Sequence, residues 1–479
     1  MVAKSTVRRY TRKRRDSWLH RLLWIEPFWL LGLAPSLLFT EYFWEPALRP
    51  AALFLFWPLR LKVTGAVLPR GATGWFVGFL LLWLPVTIWR STNSVLAWEI
   101  AGYLYFALVA FVALIHWPPL RQQPAWLALL LLALGGALAV MGPQAFSLDP
   151  DKLFDLYQPA EFSATSGNPF TAGETINPNI LGGALALILP LGVALVFRWP
   201  WVGNRWRAWL LWAPILLIGN GLLLSQSRSS WLAVGVAGLL LGWLLLQHRP
   251  QATPARGTSV TRHSPGRVTD APRAETVAAG DDLASGRGWR WLAGGLVAGL
   301  LIVLLVWYMA VTTFLTDSAL AQSAGASLIR RLDIWRLSLQ LVKAQPVTGI
   351  GLGNYEAVFT AAFPTLPLVG GRLAPPHAHN LFLQVALDVG LPGLVAHLGL
   401  LALLLRSVGS RLWTPRRRRT TIFATSAVAI GVYGALVALL VIGCFDNALW
   451  GTKLTLIPWT LFALAFLVGE GESFHAAVR

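Results

Sequence analysis

Twelve apolar runs follow one another along this chain, near 23–40, 48–60, 74–89, 96–116, 124–142, 179–198, 207–225, 229–247, 290–312, 379–405, 421–443 and 454–469. A bilayer core about 30 Å thick takes roughly 20 helical residues to cross. Inside it every backbone N–H and C=O must be paired within the protein, so only helices and closed barrels can span. The runs are continuous rather than alternating in polarity, which selects helices. The expected fold is an all-α polytopic integral membrane protein with about 12 transmembrane helices and a structured large outer, periplasmic-side loop. Composition agrees: 56% of the 479 residues are hydrophobic and 13% charged, which excludes a soluble multidomain enzyme. The single cysteine, Cys444, excludes an internal disulfide and a Cys-rich metal site.

The net charge of +18, from 39 Lys and Arg against 21 Asp and Glu, would suggest nucleic acid in a soluble protein. Here it reports topology, because basic loops stay on the cytoplasmic side, and no nucleic-acid partner is expected. Basic residues fall in alternate loops: Arg60, Lys62 and Arg70, then Arg121, then Arg198, Arg205 and Arg207, then the arginines between Arg249 and Arg290, then Arg406, Arg411 and Arg416 to Arg419. The resulting organisation is a basic cytoplasmic tail (1–22), about eight spans (23–247), a disordered cytoplasmic linker rich in Pro, Gly, Ser and Arg (248–289), a ninth span (290–312), a large outer loop (313–378), three further spans (379–469) and a second cytoplasmic tail (470–479). The outer loop contains an amphipathic helical stretch from Ser327 to Lys343. Trp75, Trp89, Trp117, Trp126, Trp231 and Trp291 stand at the ends of runs, where indole rings settle at the headgroups.

Polar groups in such a chain are more informative than the Leu and Ala around them. On this topology several converge on the outer side: Asn177-Pro178-Asn179, Ser225-Gln226-Ser227-Arg228, Arg330 and Arg331, and Pro375-Pro376-His377-Ala378-His379-Asn380. A guanidinium is permanently charged and its planar fork matches phosphate oxygens. Imidazole is the commonest general base, so His379 is a candidate to deprotonate an acceptor hydroxyl. The helix beginning there adds a positive dipole end. Taken singly, Arg228 reads equally as a terminal arginine snorkelling to headgroups. Arg330 and Arg331 read equally as a basic helix face on anionic lipid, and His377 and His379 as interfacial residues. Asp388, nine residues beyond His379, needs a partner or a proton if buried.

Weaker motifs have plainer readings. Gly349-Ile350-Gly351-Leu352-Gly353 lacks a Walker ending and reads as a tight turn. Asp149-Pro150-Asp151 has a metal-binding spacing but sits in an acidic loop, where solvated carboxylates are commonplace. Asp446 and Lys453 either reach the same cavity or pair with each other.

These residues resemble the O-antigen ligase and Wzy-type polymerase superfamily of bacterial envelope polysaccharide assembly. His379-Asn380, nine residues, then Gly390-Leu391-Pro392-Gly393 is similar to the family's His-Asn run. Arg331-Leu332-Asp333-Ile334-Trp335, Pro346-Val347-Thr348-Gly349-Ile350-Gly351, Ser227-Arg228-Ser229 and Asn177-Pro178-Asn179 resemble its other segments, over about 175 to 400. The resemblance implies an inverting, metal-independent glycosyltransferase of the cytoplasmic (inner) membrane. Both termini would be cytoplasmic and the site would lie on the outer face, with no cofactor. The partners implied are an undecaprenyl-pyrophosphate-linked glycan donor, a lipid or glycan acceptor and membrane lipid. His379, Arg228 and Arg331 would be catalytic. Arg330, Asn380, His377, Asn179 and Gln384 would bind substrate, Arg330 replacing Arg331 if the helix register is off by one. The family's motifs leave ligase, polymerase and protein O-glycosyltransferase open. A bicarbonate or anion transporter is the alternative from another class, for which a site near the bilayer midplane is expected.

Overall fold

The computed structural model describes residues 18–38, 52–142, 177–198, 205–247, 319–363, 375–413 and 423–470. Nearly all of the expected tail at 1–22, the acidic segment with Asp149 and Asp151, the linker at 248–289, the apolar run at 290–312, the Arg416 to Arg419 run and all but the first residue of the tail at 470–479 lie outside the described residues. The described residues form helices and no strand. In chain order these are α1 (Glu26–Leu38), α2 (Trp57–Thr64), α3 (Ala72–Arg90), α4 (Ser94–His116), α5 (Pro118–Gln122), α6 (Ala125–Met141), α7 (Pro178–Arg198), α8 (Arg205–Leu224), α9 (Arg228–Gln247), α10 (Ala319–Ala344), α11 (Tyr355–Ala362), α12 (Leu381–Trp413), α13 (Phe423–Phe445) and α14 (Leu456–Glu470).

Among the described residues, six helices are long and apolar enough to cross a membrane: Ala72–Arg90, Ser94–His116, Pro178–Phe197, Arg228–Gln247, Leu381–Trp413 and Ser426–Phe445. Ala125–Met141, Leu210–Leu224 and Leu456–Gly469 are apolar but shorter. Of the first two expected spans, 23–40 contains α1 and 48–60 overlaps the start of α2, which have 13 and 8 residues. At 1.5 Å per residue, the described residues of neither helix reach across a core of about 30 Å. The structure thus bears out an all-helical membrane protein without establishing a count of twelve. Arg60, expected among the topology-setting charges of an inner loop, is buried in an ion pair with Glu26 that ties α2 to α1.

Helix α7 is the central post, packed against α6, α8, α9 and α13, while α12 leans on α3, α13 and α14 and α4 on α14. One apolar core runs through these helices. The loops expected on the outer side gather at one end of the bundle, around the 91–93, 225–228, 346–354, 377–380 and 446–452 segments, as the hydrogen bonds and charge interactions below show. At the other end Arg411 Nε donates to the carbonyl of Gly469 at 2.8 Å.

The segment after α10 docks onto α12 backbone to backbone. Gly390 interrupts α12 with φ 73°, and Gly349 has φ 67°. Ile350 N–H donates to the Leu387 carbonyl at 2.7 Å and Leu391 N–H to that of Pro346 at 2.8 Å. A β-carbon on Gly349 would strike Leu387 O, and one on Gly390 would strike Val347 O. Here left-handed φ and close approach both require glycine. The Gly-rich stretch is accordingly the turn expected of it, and it pins α10 and α11 over the end of the bundle. A second apolar cluster, including Leu341, Ile350, Tyr355, Phe359, Ala378 and Leu387, fills the joint. Asn354 completes it. Buried at 1% exposure, its Oδ1 accepts from Ser91 Oγ at 3.0 Å, Thr92 N at 3.1 Å and Thr92 Oγ1 at 2.9 Å. Its Nδ2 donates to the Ile350 carbonyl at 2.7 Å.

Candidate active site

His379 stands immediately before α12, whose first turn is capped by Asn380: Leu383 N–H donates to Asn380 Oδ1 at 3.0 Å. The Asn380 amide also donates to the Cys444 carbonyl at 3.2 Å, tying this start to the end of α13. His379 has φ 48°, a left-handed conformation that costs a residue with a β-carbon on the order of 1 kcal/mol or more. The other non-glycine residues with positive φ among the described ones are Gln226, Ala448 and Leu449. All four lie in the loops at this end of the bundle, and such strain concentrates where a site is built.

The peptide groups around His379 are each held. Its N–H donates to His377 Nδ1 at 3.2 Å and its carbonyl accepts from Trp335 Nε1 at 3.3 Å. The preceding N–H, of Ala378, donates to Gln384 Oε1 at 2.9 Å. The two imidazoles lie 4.1 Å apart between ring centres. Because His377 Nδ1 accepts, the neutral ring carries its proton on Nε2, which faces Asp446 Oδ1 at 4.0 Å. The Nδ1 of His379 is buried with no hydrogen-bond partner among the described residues. Burial first, then the charges of His377 and Arg331, hold the His379 ring down to about 3, so it is neutral at physiological pH. Burial likewise lowers His377, with Asp446 opposing and Arg331 assisting.

Arg331 reaches the same spot from α10. Burial lowers the proton affinity of its guanidinium, Asp446 works against that, and Arg228 adds to it; the two arginines therefore lie within each other's field. Arg330 is exposed, whereas Arg331 is partly buried against the site. Arg228 opens α9 at an exposed position. The turn before it is held by Ser227 Oγ, 2.8 Å from Ser230 Oγ and 3.3 Å from Ser229 Oγ. Asn177-Pro178-Asn179 begins α7, with Asn179 N–H donating to Asn177 Oδ1 at 2.9 Å. One turn on, Gly182 admits the serines: a β-carbon there would lie 2.6 Å from Ser225 Oγ. The Asn-Pro-Asn start thus neighbours the Ser-Arg turn, although no hydrogen bond joins Asn179 to the histidines among the described residues.

Asp388 has the partners its burial demands. At 3% exposure it accepts from Gln384 Nε2 at 3.0 Å and Trp450 Nε1 at 3.0 Å. Gln384 is thereby engaged at both ends of its amide. Asp446 belongs to the cluster through Arg331 and His377. Sequence reasoning did not single out Trp450 or Asn354, and nothing local in the sequence marks them.

Donor atoms of His377, His379 and Asp446 all lie within 4.8 Å of one another, an arrangement that can hold a metal ion. Two features disfavour a cation there. A neutral imidazole bound to metal through Nε2 carries its proton on Nδ1, which would cost His377 the bond it accepts from His379. Arg331 also places a fixed positive charge beside the trio.

Comparison with known proteins follows the same residues. No curated protein matches the chain. Residues 213–398 match the O-antigen ligase family, a stretch that includes Arg228, Arg331, His377, His379, Gln384 and Asp388 and stops short of Asp446 and Trp450. Over those residues the chain is similar to the O-antigen ligase family.

Proposed function

We propose that the protein transfers a glycan from an undecaprenyl-pyrophosphate-linked donor to an acceptor hydroxyl at the outer face of the cytoplasmic membrane, in the manner of an O-antigen ligase. The observation that carries this reading is the meeting of Arg228, Arg331 and a neutral His379 at one end of the helix bundle. His379 takes the proton as the acceptor oxygen attacks the anomeric carbon from the face opposite the leaving group. The bond from that carbon to the phosphate oxygen breaks, and its electron pair leaves with the pyrophosphate. Arg228 and Arg331 neutralise the charge that develops there, the kind of stabilisation worth about 10²–10³ in rate per donor. The imidazolium then returns its proton to water. Inversion at the anomeric carbon follows from this single displacement.

Neutral His377, with Nδ1 accepting from His379 and Nε2–H facing Asp446, supports the loop rather than the chemistry. Asn380 caps α12, and Asn179 lies in the neighbouring start of α7, where it can meet the glycan. The polyprenyl chain lies among the spans. Asp446 offsets part of the arginine charge when no donor is bound. A transporter would place its site near the midplane, whereas these groups gather at one end.

The test is transfer by purified, reconstituted protein from an undecaprenyl-pyrophosphate glycan, comparing wild type with H379A over lipid, glycan and protein acceptors. Product from wild type alone supports the transferase, and the acceptor that gains sugar separates ligase, polymerase and protein glycosylation. Undiminished transfer by H379A removes the proposed base. Absence of product with every acceptor, together with bicarbonate uptake by the same protein in liposomes, overturns the enzyme reading.

A further inference from the structure

A carboxamide can turn either its oxygen or its nitrogen toward a given neighbour, and only the oxygen of Gln384 can bond the Ala378 N–H that precedes the strained His379. What decides the orientation lies at the other end of the amide. Gln384 Nε2 donates to Asp388 Oδ1, and the second carboxylate oxygen, Oδ2, is taken by the indole N–H of Trp450. Asp388 therefore accepts on both sides and has no donor to offer Gln384. The amide is left with one bonded arrangement: nitrogen toward Asp388, oxygen toward Ala378. The chain of contacts crosses from the 446–452 loop through α12 to the residue before the proposed base. Gln384 and Asp388 are 7% and 3% exposed, so water does not substitute freely for any link.

We propose that Asp388 and Trp450 are positioning residues, which act through Gln384 and the Ala378 N–H to hold His379 in its left-handed conformation. Gln384 serves the same purpose and does not touch substrate. The catalytic half of this inference rests on the proposed transfer reaction; the hydrogen-bond polarity does not. If the contacts merely satisfied buried polar groups, their loss would lower stability and leave turnover by the folded protein unchanged.

The polarity gives a test by exchange. D388N offers one acceptor and one donor where two acceptors are needed. If its oxygen faces Gln384, its amide nitrogen meets the Trp450 N–H; if its oxygen faces Trp450, the Gln384 amide must reverse and Ala378 loses its acceptor. Q384E sets two buried carboxylates against each other. The double variant Q384E/D388N restores every bond with the polarity reversed: the new carboxylate accepts from Ala378 N–H and from the new carboxamide, whose oxygen accepts from Trp450.

Hydrogen–deuterium exchange at the 377–380 amides and transfer kinetics are measured on the full-length, detergent-reconstituted protein. Each single variant should lose amide protection and fall about 10- to 100-fold in kcat, the scale of a misplaced reacting group, with the KM for donor little changed. The double variant should recover protection and most of kcat. D388N/W450F, which removes the indole N–H that meets the new amide nitrogen, should also recover protection. It keeps the question open to decision if D388N alone does not fold. A double variant no better than the worse single, or D388N with wild-type protection and kcat, overturns the proposal. If wild type transfers no glycan at all, the reaction fails on its own account and amide protection alone decides the positioning chain.

Discussion

Arg331 and Trp335 lie four residues apart on α10, hence on one face of that helix, and both turn to His379. Arg331 sits within its electrostatic field, and Trp335 donates its indole N–H to the His379 carbonyl at 3.3 Å. The Arg-x-x-x-Trp spacing thus lets a single helix carry the proposed phosphate ligand and a clamp on the proposed base.

Removing either partner has a distinct expected outcome. R331A should reduce transfer by about 10²-fold or more, as loss of a donor to a developing oxyanion does, and should cost more than R330A, because Arg330 is exposed. W335F keeps the ring and deletes the N–H, so kcat should fall while the KM for donor stays near wild type. Steady-state kinetics of the three variants check this; R330A more damaging than R331A would shift the phosphate ligand to Arg330.

The pH dependence carries a sign. Burial, His377 and Arg331 hold the folded His379 down to about 3, below its ordinary 6.5. The neutral ring is the basic form, so kcat/KM, which reports the free enzyme, should show no acid limb from His379 near 6.5 and should fall only as pH drops toward the folded value. For stability, the unfolded ring takes up a proton below about 6.5 and the folded ring does not until about 3. The fold therefore loses stability as pH falls across that window and gains none of it back below. A kcat/KM limb at 6.5 that disappears in H377A would assign the proton to His377 instead.

G390A should be among the most damaging single changes. Its φ of 73° is left-handed, and the added β-carbon strikes the Val347 carbonyl. A loss of more than about 1 kcal/mol is expected from the conformation alone. The 346–350 turn should detach from α12, visible as faster proteolysis there and a lower melting temperature in detergent.

N354A should loosen the same domain from the other side. The side chain satisfies Ser91, Thr92 and the Ile350 carbonyl at a buried position, and each buried polar group left unpaired costs about 1–3 kcal/mol. N354D retains the acceptor but sets a carboxylate against the Ile350 carbonyl, so it should also destabilise. Thermal unfolding of both variants beside wild type decides the point.

Transfer should survive a strong chelator. The trio of His377, His379 and Asp446 brings its donor atoms within 4.8 Å, so the outcome is informative. Complete loss restored by added divalent metal would replace the metal-free mechanism with one through that trio.

The long apolar runs and alternating basic loops by themselves determined that this is a helical membrane protein, because the bilayer imposes its length and polarity on each segment separately. The residue types that carry the proposed chemistry, His379, Arg228 and Arg331, were likewise legible, since permanent charge and a neutral-range base are properties of single side chains. Tertiary structure alone decided that Arg331 rather than Arg330 turns to the site, for a helix has a face only relative to what packs on it. It alone joined Asp388 to Trp450 and Asn354 to Ser91, across 62 and 263 residues. Hydrogen bonds over such separations leave no periodicity in the chain. They exist only once the helices are packed.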